Sequence, residues 1–202
     1  MNKIILFFVL FPLFSIAQKQ NDSIWAESLL FQKHINTEYS NKEESPLTES
    51  DFGTFEGLPF YEIDSTFYVL ARFEKAKKSK SVKFKTSTDR RPVYEIYGKV
   101  FFTIHDTQFS LNIYQSHRLR NQEEFKNHLF LPFMDLTNGK TSYAGGRYID
   151  LSIPTGKEIV INFNTAYNPY CAYSSRYSCP VVPDVNFIKV EINAGVQAPK
   201  KH

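Results

Sequence analysis

Residues 131–151 read LPFMDLTNGKTSYAGGRYIDL, and the way this stretch turns decides the fold. Leu129, Leu131, Phe133, Asp135 and Thr137 fall on one face of an extended chain, and Phe130, Met134 and Leu136 on the other. Both faces are mostly apolar, which predicts an interior strand over residues 129–137. Asn138-Gly139 follows, a pair that tolerates positive φ and favours a two-residue hairpin turn. The return strand covers residues 140–151. Such a turn pairs Thr137 with Lys140 and Asp135 with Ser142. Arg147 then lies roughly 16 Å beyond Ser142, at about 3.3 Å per residue. A direct Asp135–Arg147 contact therefore requires a sharp bend at Gly145-Gly146, for which two glycines are suited.

Working outward, period-two alternation marks residues 67–73, 82–86 and 109–113, with a strand-like run at 93–104 that Gly98 interrupts as a bulge or tight turn. His105-Asp106 reads as a surface turn between two of these. Residues 158–164 and 187–193 complete about eight or nine strands. Lys75, Lys77, Lys78, Lys80, Lys83 and Lys85 fit a solvated hairpin whose lysines discourage edge pairing. Residues 22–39 read as the one helix: Ile24, Phe31, Ile35 and Tyr39 form an apolar stripe that Trp25 and Leu29 widen. Asn21, Asp22 or Ser23 supplies its N-cap. Helices do not alternate with strands, so the expected fold is a mainly β antiparallel sandwich or barrel-like domain with one N-terminal helix.

At 202 residues the chain holds one domain with a full core. Aromatic residues make up 16 %, which fits a β-rich core and leaves a sugar- or ligand-stacking platform as the functional alternative. A net charge of +3, spread along the chain, is too small for a nucleic-acid footprint. Met1-Asn2-Lys3 is a short basic start, residues 4–14 are apolar, and Ser15-Ile16-Ala17 presents small residues to a signal peptidase. This predicts a secretory leader over 1–17, cleaved after Ala17, and a single domain over 18–202. The apolar run is too short for a stable membrane anchor, so the mature chain is expected outside the cytoplasm, periplasmic or extracellular, with no transmembrane segment.

Residues 161–183, INFNTAYNPYCAYSSRYSCPVVP, concentrate the unusual chemistry. Together with LPFMDLTNGKTSYAGGRYIDL, Ser45-Pro46-Leu47, Phe55-Glu56-Gly57-Leu58 and INAG near the end, they resemble the bacterial family known as domain of unknown function 1684. The family's F-x-D-x-T falls on Phe133, Asp135 and Thr137, its G-R-Y on Gly146, Arg147 and Tyr148, and its C-P-x-x-P-x-x-N on Cys179 to Asn186. Ser142 replaces the usual threonine, and Asn162 stands where the family usually has aspartate. The resemblance covers nearly the whole mature chain and implies no activity.

Cys171 and Cys179 enclose a nine-residue loop, and in an oxidising compartment a disulfide is the first reading, adding roughly 2.5 kcal/mol. Free buried thiols, a nucleophilic cysteine beside Arg176 and a metal site remain open, although no C-x-x-C or H-x-x-x-H spacing supplies further ligands. No metal or cofactor is expected. The loop's tyrosines either plug the barrel mouth or border a pocket where Asp135, Arg147, Asn164, Tyr167 and Asn168 converge. In that pocket Arg147 would hold a small polar ligand, possible anions included, by bidentate hydrogen bonds. The alternatives are a hydrolase with Asp135 as general base, and a structural envelope-interaction protein.

Overall fold

The computed structural model describes residues 12–199. Residues 1–11 of the expected leader lie outside them. Helix α1 (Pro12–Ser40) begins well before the expected Asp22, so Asn21, Asp22 and Ser23 are interior positions and not caps. A short α2 (Glu49–Gly53) follows, its N-terminus closed by the Thr48 hydroxyl, which accepts from the Asp51 N–H at 3.2 Å.

Six antiparallel strands form one curled half-barrel sheet: β1 (Tyr68–Lys83), β2 (Val93–Ile104), β3 (Thr107–Ser116), β4 (His128–Phe133), β5 (Arg147–Ser152) and β6 (Glu158–Asn162). Their order is β5-β4-β3-β2-β1-β6. Across the open side, the backbone of Tyr148 on β5 pairs in both directions with Tyr167, at 2.9 and 3.0 Å. The inner face carries the main core, among it Val100, Leu111, Ile113, Leu131, Phe133, Ile161 and Phe163.

The eight or nine expected strands become six for physical reasons. The two alternating runs at 67–73 and 82–86 merge: β1 continues through the lysine cluster as one exposed ribbon, with a register shift between Lys75 and Lys80, and no hairpin forms there. Gly98 does sit at an irregularity, between Ile96 and Gly98 in the β2–β3 ladder. A Cβ there would lie 2.5 Å from the Phe73 ring and 2.6 Å from the Glu74 carbonyl, so only glycine lets the strands approach. His105 (φ 47°) and Asp106 (φ 60°) make the tight β2–β3 turn, both in the left-handed region that a type I′ hairpin needs.

Asn138-Gly139, by contrast, is not the hairpin turn of a continuous ribbon. β4 ends at Phe133, which pairs directly with Arg147, and residues 134–146 wrap into a compact loop. The Asn138 side chain drives this: its Oδ1 accepts from the Asp135 N–H at 2.6 Å, and its Nδ2 donates to the Tyr143 carbonyl at 2.7 Å. Local side-chain bonds thus replace the ladder. Residues 187–193 form no regular strand either. Ile188 and Ile192 are buried as expected, but no strand ladder pairs this segment: the Ile192 carbonyl goes to Arg147 and the Val190 carbonyl to the N–H of Leu136 in the 134–146 loop.

Helix α1 buries Ile24, Ser28, Ile35 and Tyr39, the last two in a cluster with Leu47, Leu58 and Val196 of the connecting segments. Trp25 and Leu29, expected to widen that stripe, are about half exposed, at 47 % and 52 %. What fixes the helix in their place is polar. Asn162 donates to Glu27 (3.1 Å) and Ser28 (3.2 Å), and Asn36 accepts from the Leu58 N–H at 2.8 Å. Among the described residues no helix is long and apolar enough to cross a membrane.

Candidate functional site

Asp135 and Arg147 meet, but not in a pocket. Because Phe133 pairs with Arg147, Asp135 needs only the first turn of the 134–146 loop to reach the guanidinium, and the two form an ion pair of 2.8 Å with neither side chain exposed. Gly146 (φ +88°) permits the bend. Arg147 Nη1 donates to the Ala194 carbonyl, and Nη2 donates to Asp135 Oδ2 and to the Ile192 carbonyl at 2.8 Å each. Asp135 Oδ1 accepts from the Thr137 N–H (2.8 Å), the Thr137 hydroxyl (2.5 Å) and the Ile192 N–H (3.2 Å). The guanidinium also lies 5.2 Å from the Phe133 ring centroid. This buried charge pair is a clasp. Arg147 Nε finds no partner among the described residues, but the remaining bonds supply those that residues 192–194 do not get from a strand.

The other residues expected to converge on Arg147 are distributed. Asn164 is buried and grips Asp64 through both amide atoms, accepting from its N–H and donating to its carbonyl at 3.0 Å each. Asn168 donates to the Gln197 carbonyl (2.7 Å) and the Tyr173 hydroxyl (3.0 Å). Asn186, which the sequence reading did not single out, does the same for three backbone groups: Asn112 N–H and C=O, and Pro132 C=O, between 2.7 and 2.9 Å. Arg147 in consequence has no N–H directed at a ligand surface, and Asp135 as a general base is closed off by the same bonds.

Tyr167 is different. It lines a groove of about 530 Å³ between α1 and the β4–β5 edge, with Phe31, Tyr94, Phe130 and Tyr148 as walls. Its hydroxyl donates to Asp150 Oδ2 at 2.8 Å, and His128 Nε2 lies 2.7 Å from Asp150 Oδ1. Period two explains the pairing: His128 and Phe130 on β4 face the same side as Asp150 and Tyr148 on β5, and Phe130 is directly opposite Asp150. Burial, and then the Asp150 charge beside it, hold the Tyr167 hydroxyl well above the usual tyrosine range, so it stays a donor. An ionised carboxylate only accepts, so His128 Nε2 donates to Asp150; the other ring nitrogen is Nδ1. That Nδ1 is buried and has no partner among the described residues. Glu38 and His34 of α1 complete the polar part of the rim. Tyr167 was expected from the sequence but His128 and Asp150 were not; the alternation that aligns His128 with Phe130 is the signal that could have found them.

Cys179 also borders this groove, with Cys171 beside it. They are unjoined, and the Cys171 N–H donates to Cys179 Sγ at 3.2 Å. Arg176 turns to the Ser45 carbonyl (2.6 Å) and the Tyr177 hydroxyl. Among the described residues no cluster of three or more His, Cys, Asp or Glu side chains offers a metal site.

The model of the family described as "Protein of unknown function (DUF1684)" matches residues 53–197. The fold is similar to the solution NMR structure of an uncharacterized protein from Haloarcula marismortui, with a TM-score of 0.70, 28 % identity, and coverage of 91 % of this chain and 99 % of that one. Comparison with curated proteins gives no match.

Proposed function

We propose that this chain, which belongs to the DUF1684 family, is an exported binding module that holds a small polar ligand in the groove between α1 and the β4–β5 edge. The observation that carries the reading is the Tyr167–Asp150–His128 hydrogen-bonded chain in an aromatic-walled groove of about 530 Å³. Asp150 and Glu38 are acceptors, so the ligand is a donor of hydrogen bonds. Aromatic walls favour one with an apolar face. A neutral polyhydroxylated ring, a sugar above all, fits both demands better than an anion, which would have required Arg147.

The test is titration of the isotope-labelled protein with a panel of monosaccharides and cyclic polyols, followed by amide chemical shifts. Saturable shifts should centre on Tyr148, Asp150, Tyr167 and Tyr170. Asp150→Asn should weaken binding by about tenfold or more, the loss expected for one hydrogen bond to a charged acceptor. Absence of saturable shifts in the groove, or binding indifferent to Asp150→Asn, would reject the reading.

Export rests on the basic-apolar-small pattern of residues 1–17. The intact mass of the protein recovered from an exporting host should correspond to a chain starting at Gln18; a chain retaining Met1 would count against it. In that compartment the adjacent cysteines are proposed to be joined.

A further inference from the structure

Cys179 and its neighbour Val181 are held in place by residues 85–87. The Cys179 N–H donates to the Ser87 hydroxyl at 3.3 Å, its carbonyl accepts from the Ser87 N–H at 3.2 Å, and Val181 N–H donates to the Lys85 carbonyl at 2.8 Å. Cys171 sits on a single turn of 3-10 helix, Tyr170–Ala172, directly against that sulfur, and both cysteines are partly exposed. The Ser87 hydroxyl that accepts from the Cys179 N–H donates in turn to the Tyr177 carbonyl at 3.3 Å. The two cysteines are therefore adjacent, and Cys179 is the one pinned through its backbone.

We propose that Cys171 and Cys179 form a reactive dithiol site that exchanges with small disulfides, Cys171 attacking and Cys179 resolving. The Cys171 thiolate attacks one sulfur of a low-molecular-weight disulfide. A new S–S bond forms, and the displaced thiolate takes a proton from solvent. Cys179 then loses its proton to solvent and attacks the Cys171 sulfur, releasing the second small thiolate. Two protein thiols are oxidised and one small disulfide is reduced to two thiols. The short loop between the cysteines and the existing contact make the second step intramolecular. Cys179 and Pro180 both line the groove, so the redox state of the pair is read out on its wall.

The electrostatics agree with this division of roles. Hydrogen bonds from Cys179 first, and then from Tyr143, outweigh burial and draw the Cys171 thiol down to about 6. The same contact, together with burial, pushes the Cys179 thiol up. Tyr143 is itself raised to about 12, chiefly by burial and next by Cys171, and so remains a donor at neutral pH.

The test uses the reduced full-length chain. Iodoacetamide trapping at pH 7 with peptide mapping should label Cys171 initially at least about tenfold faster than Cys179, with the Cys171 rate levelling off above pH 7, as a low-pKa thiolate requires. Equal initial rates, or a Cys171 profile still climbing through pH 8–9, would overturn the assignment. Glutathione disulfide supplies an independent arm. The natural chain should go on to the intramolecular disulfide, while Cys179→Ser should stop with glutathione on Cys171. Persistent thiols in the natural chain, or glutathione accumulating on Cys179 in Cys171→Ser but not on Cys171 in Cys179→Ser, would refute it.

Discussion

At Gly146 two constraints coincide. Its φ of +88° is one that L side chains rarely adopt, and an added Cβ would lie 2.6 Å from Val182 Cγ2 and 2.7 Å from the Phe133 carbonyl. Gly139 has a similar φ, +77°, but only the Ala144 methyl lies near its missing Cβ, at 3.8 Å. Gly146→Ala should therefore cost about 2–5 kcal/mol, combining left-handed strain with overpacking, whereas Gly139→Ala should cost only about 1–2 kcal/mol from strain. Urea denaturation of the two variants side by side separates these contributions; equal losses would mean that the close approach at Gly146 relaxes away. The need for a bend at Gly145-Gly146 was legible from the sequence, because residue spacing alone kept Asp135 and Arg147 apart without one. The burial of Arg147 against the downstream chain was not. Its acceptors are the carbonyls of Ile192 and Ala194, nearly fifty residues downstream, and a carbonyl leaves no trace in side-chain pattern.

Among the elements, the sheet was more legible than its limits. The strand pattern placed β2 and β6 nearly to their ends and the middle of β3, and His105-Asp106 marked the β2–β3 turn, where both residues adopt positive φ. Alternation failed at residues 134–137 and 187–193, where apolar residues recur at the right period but the hydrogen bonds go elsewhere. Met134 and Leu136 donate to the carbonyls of Asn186 and Val190, while Asn138 and Asp135 close the loop on themselves. Period two reports which side chains are buried; it does not report which groups satisfy the backbone. The same gap explains α1. Its apolar stripe was read too wide because Trp25 and Leu29 resemble core residues, while Ser28, fully buried and bonded to Asn162, resembles a surface residue.

At the scale of the molecule, polar side chains join layers that have no ladder between them. Asn162 ties β6 to α1, Asn186 ties the 184–186 turn to β3 and β4, and Arg147 ties β5 to residues 192–194. This leaves the inner polar cluster as framework and moves the ligand-accessible chemistry to the outer groove beside α1. Of the five residues that the sequence singled out for a ligand, Tyr167 alone lines that groove; His128 and Asp150 complete it from strands whose pairing the hairpin register had misplaced. The central claim is thus that Arg147 holds the fold and not a ligand. Its most direct test is urea denaturation of Arg147→Met, measured against the natural chain and alongside the groove titration. Removing one partner of a fully buried pair should lower stability by about 3–5 kcal/mol. Any Arg147→Met protein that remains folded should still bind in the groove as the natural chain does. A variant of unchanged stability that has lost ligand binding would contradict the claim and return Arg147 to the binding site.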